Sequence, residues 1–311
     1  MPSELIRRHS SGGLHGLRHL VGAEPPPVRP GSAPTRRPFR ATLCETETVR
    51  VILNFHPSPE FSGRLLQFRS PGDKIAWRYN EARVQCQHDG RECVPTDSPK
   101  TQSMSQCKPC PCHPVASPNF AVMGFGYVQL MLNKVLQSCE GRVSTDRYRL
   151  LMIGLGGGSF TQPVRRRCHA HIDVIEKQKD VADAARLFLG YEEQPKWVGK
   201  REEDERVIIA DGQDGLQLAE TYSNGRRYDA IAIDCMVSGK IPPGCRSEAF
   251  VNSAARLLSP GGVITQWSWQ ADFKLLRTQW RTRFHNVTHE IYSGNPVLEI
   301  RSHRRPPRPS R

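Results

Sequence analysis

A short apolar strand that runs into a glycine-packed turn constrains the fold of this chain more than any other feature. Residues 148–153 are mostly apolar, and four of the next five residues, 154–158, are glycines. A second apolar stretch, 171–176, ends in Glu176, 22 positions after Gly154. Glycines let a backbone approach a ligand closely, and an acid at the end of the next strand accepts hydrogen bonds from ribose hydroxyls. The pattern predicts a nucleotide-binding crossover.

The spacing of the glycines chooses among nucleotide ligands. A dinucleotide site has glycines at the first, third and sixth positions of the turn, so that a pyrophosphate rests on the helix N-terminus. Here the sixth position is Ser159, and the pattern is G-x-G-x-G. This pattern favours a ligand without a pyrophosphate, such as S-adenosylmethionine (AdoMet), over a nicotinamide dinucleotide. A purely structural glycine turn is the alternative.

From Arg147 onwards, strand and helix patterns alternate. Near-continuous apolar strands separated by helices predict a parallel sheet covered on both faces. The predicted strands are 148–153, 171–176, 206–210, 228–234 and 263–267, and the clearest helices are 179–189, 248–258 and 271–283. Two further β runs, 285–292 and 296–301, predict an antiparallel edge. The fold class is α/β, with a doubly wound, mostly parallel seven-stranded sheet.

The first third of the chain has a different organisation. Three β runs at 46–55, 63–68 and 74–79 are separated by Pro, Gly and Ser turns and predict a small antiparallel sheet. Apolar residues at helical spacing from Phe120 to Leu136 predict a helix that leads into the main domain. The predicted divisions are a disordered basic tail (1–40), a small β-rich segment (41–85), a Cys/Pro-rich loop (86–116), the AdoMet-binding α/β domain (117–302) and a second basic tail (303–311).

The net charge of +13 is concentrated at the two ends of the chain. Residues 1–40 hold seven arginines and two glutamates, and residues 301–311 hold five arginines and no acid, so the ends supply ten of the thirteen charges. Basic tails beside Pro and Ser are typical of solvated segments, so no specific nucleic-acid partner is expected. No apolar run approaches the ~20 residues needed to cross a bilayer, so no membrane partner is expected. We expect a cytoplasmic protein, or an organellar one if the first 25 residues form a transit segment.

The chain has ten cysteines. In an apparently intracellular protein they argue against a disulfide framework. One cluster, Cys107-Lys-Pro-Cys110-Pro-Cys112-His113, offers four ligands of the kind that zinc accepts. However, a single proline between Cys110 and Cys112 is an awkward chelate spacing, so we expect a Cys/Pro-rich loop without a metal.

From about residue 117 to 301, the chain resembles the spermidine synthase-like branch of the class I AdoMet-dependent methyltransferase superfamily. Five motifs carry the resemblance in the expected order: YRLLMIGLGGGSF, IDVIEKQKDVADAARLFLG, ADGQDGLQLAE, YDAIAIDCMVSGKIPP and LLSPGGVITQW. The resemblance implies a Rossmann-like class I methyltransferase fold. It also implies AdoMet or decarboxylated AdoMet as co-substrate, no metal, and a homodimer as one possible assembly.

The resemblance assigns ligand-binding roles to residues at the carboxyl ends of the first two strands. Gly154, Gly156 and Gly158 would pass beneath the amino-acid or aminopropyl portion of the ligand. Glu176 would take both ribose hydroxyls, because a carboxylate has two oxygens for this task.

Two more acids follow the third and fourth strands. Asp211, with Gly212, would meet the adenine and accept a hydrogen bond from its exocyclic amine. Asp234 would face the sulfonium as the catalytic residue, orienting an amine nucleophile and accepting its proton. For Asp211 and Asp234 the alternative is a structural turn or cap.

The chain departs from the spermidine synthase pattern in the residues that hold polyamine groups. In that family the turn usually reads G-G-G-D-G-G, and its acid holds the ammonium of decarboxylated AdoMet; Gly157 stands there in this chain. The strand-four acid is normally followed three residues later by another acid, and here that position is Val237. Tyr127 matches the family helix motif Y-H-E-M-L, whereas Gln129 replaces its acid with a neutral amide. These departures predict a retained AdoMet pocket and a lost putrescine pocket.

Three functions follow from these residues. The first is methyl transfer to an unidentified small-molecule or amine acceptor, with Asp234 as proton acceptor. The second is aminopropyl transfer from decarboxylated AdoMet, and the third is adenosyl-ligand binding without turnover. Trp267 and Trp269, which follow strand five, either line the acceptor pocket or pack in the core.

Overall fold

A computed structural model of the chain describes residues 39–55, 63–68, 81–84, 86–87, 101–107, 113–114, 126–140, 147–191, 206–236 and 240–302. The predicted basic tails lie outside these residues, apart from the end of the first. The predicted strand at 74–79 and most of the Cys/Pro-rich loop also lie outside them.

The small antiparallel sheet predicted near the N-terminus is confirmed, but the sequence did not predict its strands at 39–45 and 81–84, the first of which begins within the predicted tail. Its strands follow chain order and are β1 (Phe39–Glu45), β2 (Val49–Phe55), β3 (Gly63–Phe68) and β4 (Glu81–Val84). The predicted strand from 46 is wrong at its start, because Thr46 closes a turn. Its hydroxyl accepts a hydrogen bond from the backbone N–H of Val49 at 3.0 Å, and its own N–H donates to the Val49 carbonyl at 2.7 Å.

The loop region contributes two short pieces to the described chain. β5 (Cys86–Gln87) pairs antiparallel with β6 (His113–Pro114), and a 3-10 turn spans Met104–Gln106. Just before this turn, the Ser103 hydroxyl donates to the Asp180 carboxylate at 3.2 Å. This contact ties the loop region to the main domain.

The main domain alternates helices and strands, as the sequence predicts. Its elements are α1 (Gly126–Glu140), β7 (Arg149–Ile153), α2 (Thr161–Cys168), β8 (His171–Glu176), α3 (Lys179–Phe188), β9 (Val207–Ile209), α4 (Gly212–Tyr222), β10 (Tyr228–Ile233), α5 (Glu248–Leu257), β11 (Leu258–Trp267), α6 (Gln270–Arg281), β12 (Asn286–Tyr292) and β13 (Asn295–Arg301).

The seven strands form one sheet in the order β12-β13-β11-β10-β7-β8-β9. Strands β7 to β11 run parallel to one another, whereas β13 runs antiparallel to both β11 and β12. The predicted doubly wound, mostly parallel seven-stranded sheet is therefore confirmed. Chain order reverses direction between β7 and β10, and open α/β sheets bind ligands at such a switch point.

Alternate residues of the central strands enter two different cores. Leu151 and Ile153 of β7 point into a cluster with Trp280 on the face that α4, α5 and α6 cover. Leu150 and Met152 point into a second cluster on the face that α1, α2 and α3 cover. Because both faces are buried, the strand needs apolar side chains at successive positions, which explains its near-continuous apolar sequence.

The start of β11 also differs from the prediction. β11 begins at Leu258 rather than at Val263, because the backbone pairs with β10 on both sides of the Ser-Pro-Gly-Gly sequence. The register moves from Tyr228↔Leu258 to Ala230↔Val263, so the intervening residues form a bulge in which Gly261 has φ +81°. A bulge of this kind accommodates a proline and two glycines within a strand.

The cysteines are the clearest correction to the sequence-based expectations. Among the described residues, three disulfides join Cys44 to Cys107, Cys139 to Cys168 and Cys235 to Cys245, with Cα–Cα distances of 6.1, 5.8 and 6.3 Å. Their partners are 63, 29 and 10 positions apart, spacings that only the fold explains. Cys107 therefore pairs with a strand residue rather than with its neighbours in the loop.

The described residues also bear on metal binding and membrane insertion. Within the described ranges, His, Cys, Asp and Glu side chains do not gather in groups of three or more that could hold a metal ion. Cys110 and Cys112 lie outside those ranges. None of the helices described has the length and apolar character to cross a membrane.

Candidate active site

A cavity of about 420 Å³ opens at the carboxyl edge of the main sheet, around the switch point between β7 and β10. Ladder hydrogen bonds hold the strand ends side by side there. The Gly154 N–H donates to the Ile175 carbonyl, and the Asp234 N–H donates to the Ile153 carbonyl, both at 2.8 Å. Seven of the predicted site residues line this cavity: Tyr127, Gly154, Gly156, Glu176, Asp211, Gly212 and Asp234.

The glycine turn after β7 forms the floor of the cavity. Gly154 has φ +88° and Gly156 has φ +52°, a region of backbone conformation that favours glycine. A Cβ on Gly154 would collide with the carbonyl oxygen of Asp234, so only glycine lets the turn and the end of β10 lie in contact. Gly157 also lines the cavity.

Gly158 and Gln129 lie away from the cavity. Gly158 packs on Tyr191, where an added Cβ would fall 2.8 Å from the ring. It therefore supports the turn from behind the cavity lining. Gln129 lies on α1 and donates to the side chain of Asn133 at 2.8 Å. Val237, at the lost acid position, falls outside the described residues.

Glu176 is buried at the end of β8, with 7% of its surface exposed. Its Oε2 accepts from the Leu155 N–H and its Oε1 from the Gln178 N–H, each at 2.9 Å. Burial raises the pKa of Glu176, and these backbone N–H groups oppose the rise. The N–H groups of Gly156 and Lys177 also face this carboxylate, and a ribose hydroxyl would share its oxygens with these donors.

Asp211 begins α4 at the far side of the cavity. Its Oδ1 accepts from the N–H groups of Gln213 and Asp214, at 3.0 and 3.2 Å. This is an N-cap, the structural role that the sequence left open. Because both hydrogen bonds end on Oδ1, Oδ2 is the oxygen that could accept from an exocyclic amine. Gly212 packs against Cys245, and an added Cβ there would collide with the sulfur.

Asp234 follows β10 directly and keeps a partly accessible face towards the cavity. Both of its oxygens accept hydrogen bonds from the Tyr127 hydroxyl, at 3.4 and 3.3 Å. Desolvation raises the pKa of Asp234 to about 6; the Tyr127 hydrogen bond lowers it, and the charge of Glu176 raises it. A carboxyl that titrates near neutral pH can accept and release a proton under ordinary conditions. The geometry therefore suits proton transfer beside the glycine turn.

Sequence reasoning missed the hairpin residues of this site. Tyr292, Ser293 and Asn295 line the cavity from the connection between β12 and β13. That connection is a two-residue turn with φ +49° at Ser293 and +79° at Gly294. A strand antiparallel to β11 must begin near the carboxyl end of β11, so the predicted topology was the signal that could have placed this turn at the site.

Comparisons with known proteins show what the chain is similar to. The spermine/spermidine synthase domain model matches residues 127–286. A spermidine synthase from Coffea arabica is 34% identical over 119 residues, 37% of this chain and 34% of that protein. A polyamine aminopropyltransferase from Vibrio vulnificus is 24% identical over 179 residues, 57% of this chain and 52% of that protein.

The match covers only part of the length of these relatives. The chain spans 34–58% of the length of the curated relatives it matches. Among solved structures, a probable spermidine synthase from Corynebacterium glutamicum has a TM-score of 0.53 at 12% identity, covering 85% of this chain and 81% of that chain. This structural likeness concerns the fold alone.

Proposed function

Because the chain belongs to the spermine/spermidine synthase family, we propose that it transfers an aminopropyl group from decarboxylated AdoMet to an amine acceptor. The residue pattern by itself places methyl transfer first. The names of the relatives, a spermidine synthase and a polyamine aminopropyltransferase, favour aminopropyl transfer instead.

The placement of Asp234 is the observation that carries the proposal. The backbone carbonyl of Asp234 lies against Gly154 of the glycine turn, and its side chain shares the cavity with Glu176 and Asp211. An adenosyl donor bound by Glu176 and Asp211 would lie across the glycine turn, with its sulfonium towards Asp234. An amine acceptor held by the same carboxylate would then face the electrophilic carbon.

Asp234 and Tyr127 act on the acceptor in this mechanism. The Asp234 carboxylate takes a proton from the acceptor ammonium and frees the nitrogen lone pair. The nitrogen forms a bond to the aminopropyl carbon next to the sulfonium. The bond between that carbon and sulfur breaks, and its electron pair stays on sulfur, giving neutral methylthioadenosine. The Tyr127 hydroxyl, which keeps its proton because desolvation and Asp234 raise its pKa, holds the carboxylate in place.

Methyl transfer is the second candidate, and Gly157 favours it. This glycine lines the cavity at the position where the family carries the acid that holds the donor ammonium. A neutral residue there removes repulsion against the carboxylate of AdoMet. The same residues would then transfer a methyl group and release adenosylhomocysteine.

Donor profiling of the full chain separates these functions. The protein is incubated with an amine mixture and either AdoMet or decarboxylated AdoMet, and the nucleoside products are identified by mass spectrometry. Methylthioadenosine from the decarboxylated donor, formed together with an aminopropylated amine, is the expected result. Adenosylhomocysteine as the only product would overturn the proposal in favour of methyl transfer.

Two controls complete the experiment. Asp234→Asn keeps the shape of the side chain and loses the proton acceptor, so turnover should fall at least about 100-fold. Calorimetry with methylthioadenosine reports donor binding independently of turnover. Binding without any product from either donor would show a non-catalytic adenosyl-binding protein.

A further inference from the structure

The cavity continues beyond Asp234, away from the predicted donor residues. In the sheet, Glu176 and Asp211 follow β8 and β9, whereas β11 and the hairpin β12–β13 lie on the opposite side of β10. Adjacent strands are about 4.8 Å apart, so the cavity extends across several strands. We call the part lined by Tyr127, Met236, Trp267, Trp269 and Tyr292 the acceptor half.

Aromatic rings form the wall of the acceptor half. The ring centroids of Tyr127 and Trp267 are 5.0 Å apart, and those of Trp267 and Trp269 are 4.6 Å apart in an edge-to-face arrangement. Trp267 is 4% exposed and fixed in the second core cluster. These contacts give a continuous aromatic surface that begins beside the carboxyl of Asp234.

The turn of the hairpin covers this surface from the other side. The Tyr292 ring lies directly over Gly126, at the start of α1, where any Cβ would collide with it. Tyr292 is nevertheless 43% exposed, so the acceptor half is open to solvent at this end. An acceptor of several carbons could enter there and reach Asp234.

Among the described residues that line the cavity, Asp234 is the one acid that borders the acceptor half. The other lining acids, Glu176 and Asp211, already bind backbone N–H groups on the donor side. On the hairpin strands, Glu290 and Glu299 are both paired with Lys134, the latter at 3.1 Å. A second ammonium that left water here would meet aromatic rings and a thioether rather than a carboxylate. The cation–π attraction of the rings offsets only part of the desolvation of an unpaired charge, so its burial is unfavourable.

We propose that the acceptor is an amine with one cationic centre and an apolar or aromatic body, rather than a diamine. This inference rests on the proposed function, because it assumes that Asp234 receives the reacting amine. The amine would bind at Asp234, and its body would lie along Tyr127, Trp267 and Trp269.

A matched pair of acceptors tests the inference. n-Pentylamine and 1,4-diaminobutane have the same number of heavy atoms and differ in a terminal methyl against a terminal ammonium; 2-phenylethylamine adds an aromatic body. With whichever donor is active, kcat/KM should be at least about 10-fold higher for the two monoamines than for the diamine. A preference for 1,4-diaminobutane would overturn the inference and leave the proposed function standing. Turnover of the monoamines with AdoMet alone would overturn the proposed function and leave the inference about the acceptor standing.

Variants test the residues of the acceptor half. Trp269→Ala should raise KM for 2-phenylethylamine at least about 10-fold and leave methylthioadenosine affinity unchanged. Tyr222→Ala removes an aromatic side chain that is 43% exposed outside the cavity, and it should change neither quantity. Met236→Glu adds a carboxylate to the acceptor half and should shift the kcat/KM ratio towards 1,4-diaminobutane at least about 10-fold. Unchanged acceptor preference in both Trp269→Ala and Met236→Glu would contradict the proposed surface.

Discussion

The Tyr127 hydroxyl bridges both oxygens of the Asp234 carboxyl, at 3.3 and 3.4 Å. Desolvation raises the pKa of Asp234 to about 6, and this hydrogen bond limits the rise. Tyr127→Phe removes the hydroxyl alone, so the pKa of Asp234 should rise further. The carboxyl must be ionised to accept a proton. On acidification, the Tyr127→Phe protein should therefore lose activity at a higher pH than the unaltered protein does.

The pH dependence of kcat/KM between about pH 5 and 9 measures this effect. The acidic limb should lie near pH 6 in the unaltered protein and move up by at least about half a unit in Tyr127→Phe. Tyr222→Phe, outside the cavity, is the matched control and should leave the limb in place. If Tyr127→Phe lowers kcat but leaves the acidic limb in place, Tyr127 does not set the pKa of Asp234.

The same desolvation makes Asp234 costly for folding. Its pKa is raised from 3.8 to about 6 in the folded protein, so the ionised form is less favourable there than in the unfolded chain. The contribution of the Asp234 carboxyl to stability is fully present below its pKa in the unfolded chain. It is lost as the pH rises through its pKa in the folded protein. Asp234→Asn should therefore increase the free energy of unfolding at pH 7.5 by about 1 to 3 kcal/mol.

Urea unfolding at two pH values checks this prediction. The gain from Asp234→Asn should shrink towards pH 5, because the unaltered carboxyl becomes protonated and neutral. Equal or lower stability of the variant at pH 7.5 would mean that neighbouring groups compensate the buried charge. The expected combination, a more stable protein without turnover, is typical of a residue retained for function.

Gly154 should be the least replaceable glycine of the turn. Gly154→Ala adds both backbone strain at φ +88° and a collision with the Asp234 carbonyl. Gly225→Ala is a matched control, because Gly225 has φ +76° and its Cβ would have no atom within 4 Å. The control should cost about 1 to 2 kcal/mol of stability, and Gly154→Ala about 1 to 3 kcal/mol more. Equal urea midpoints would show that the turn can move away from Asp234.

Glu176 combines a structural and a predicted binding role. Glu176→Gln keeps one acceptor oxygen and loses the other, so it disturbs the fold less than Glu176→Ala. Affinity for methylthioadenosine, measured by calorimetry, should fall at least about 10-fold. Glu220→Gln alters an exposed carboxylate that pairs with Arg256 and should leave this affinity unchanged. Unchanged binding in a folded Glu176→Gln protein would remove the carboxylate from ribose recognition.

The sequence predicts the main sheet well because one physical rule governs its strands. Strands buried on both faces must be apolar throughout, and the runs at 148–153 and 171–176 match β7 and β8 closely. Residues at the carboxyl ends of such strands meet at one edge, so Glu176 and Asp234 could be placed together before any coordinates. Local turns are harder, because the bulge at Gly261 and the turn at Thr46 depend on pairing partners.

Parts of the site that come from distant segments could not be predicted in this way. The Ser-Gly-Asn sequence between the two β runs indicates the hairpin turn, but neither the position of this turn at the cavity nor the aromatic contact between Tyr127 and Trp267 has a local sequence signal. The spacing of Gly158 matched a ligand-binding pattern, yet the backbone directs it towards Tyr191. Such contacts depend on how α1 and the sheet edge pack together.

The disulfide between Cys235 and Cys245 gives the last prediction. It joins the residue after Asp234 to the 3-10 turn Pro243–Cys245, and the Cys245 sulfur packs against Gly212 on the predicted adenine side. Peptide mapping without reductant should recover residues 235 and 245 in one cross-linked product. Because the bond holds two cavity walls together, Cys235→Ser with Cys245→Ser should weaken methylthioadenosine binding about 3- to 10-fold.

The disulfide between Cys139 and Cys168 joins the end of α1 to the end of α2, outside the cavity lining, and its double serine variant is the control. Equal affinities in the two double variants would show that the cavity keeps its shape without the Cys235–Cys245 bond.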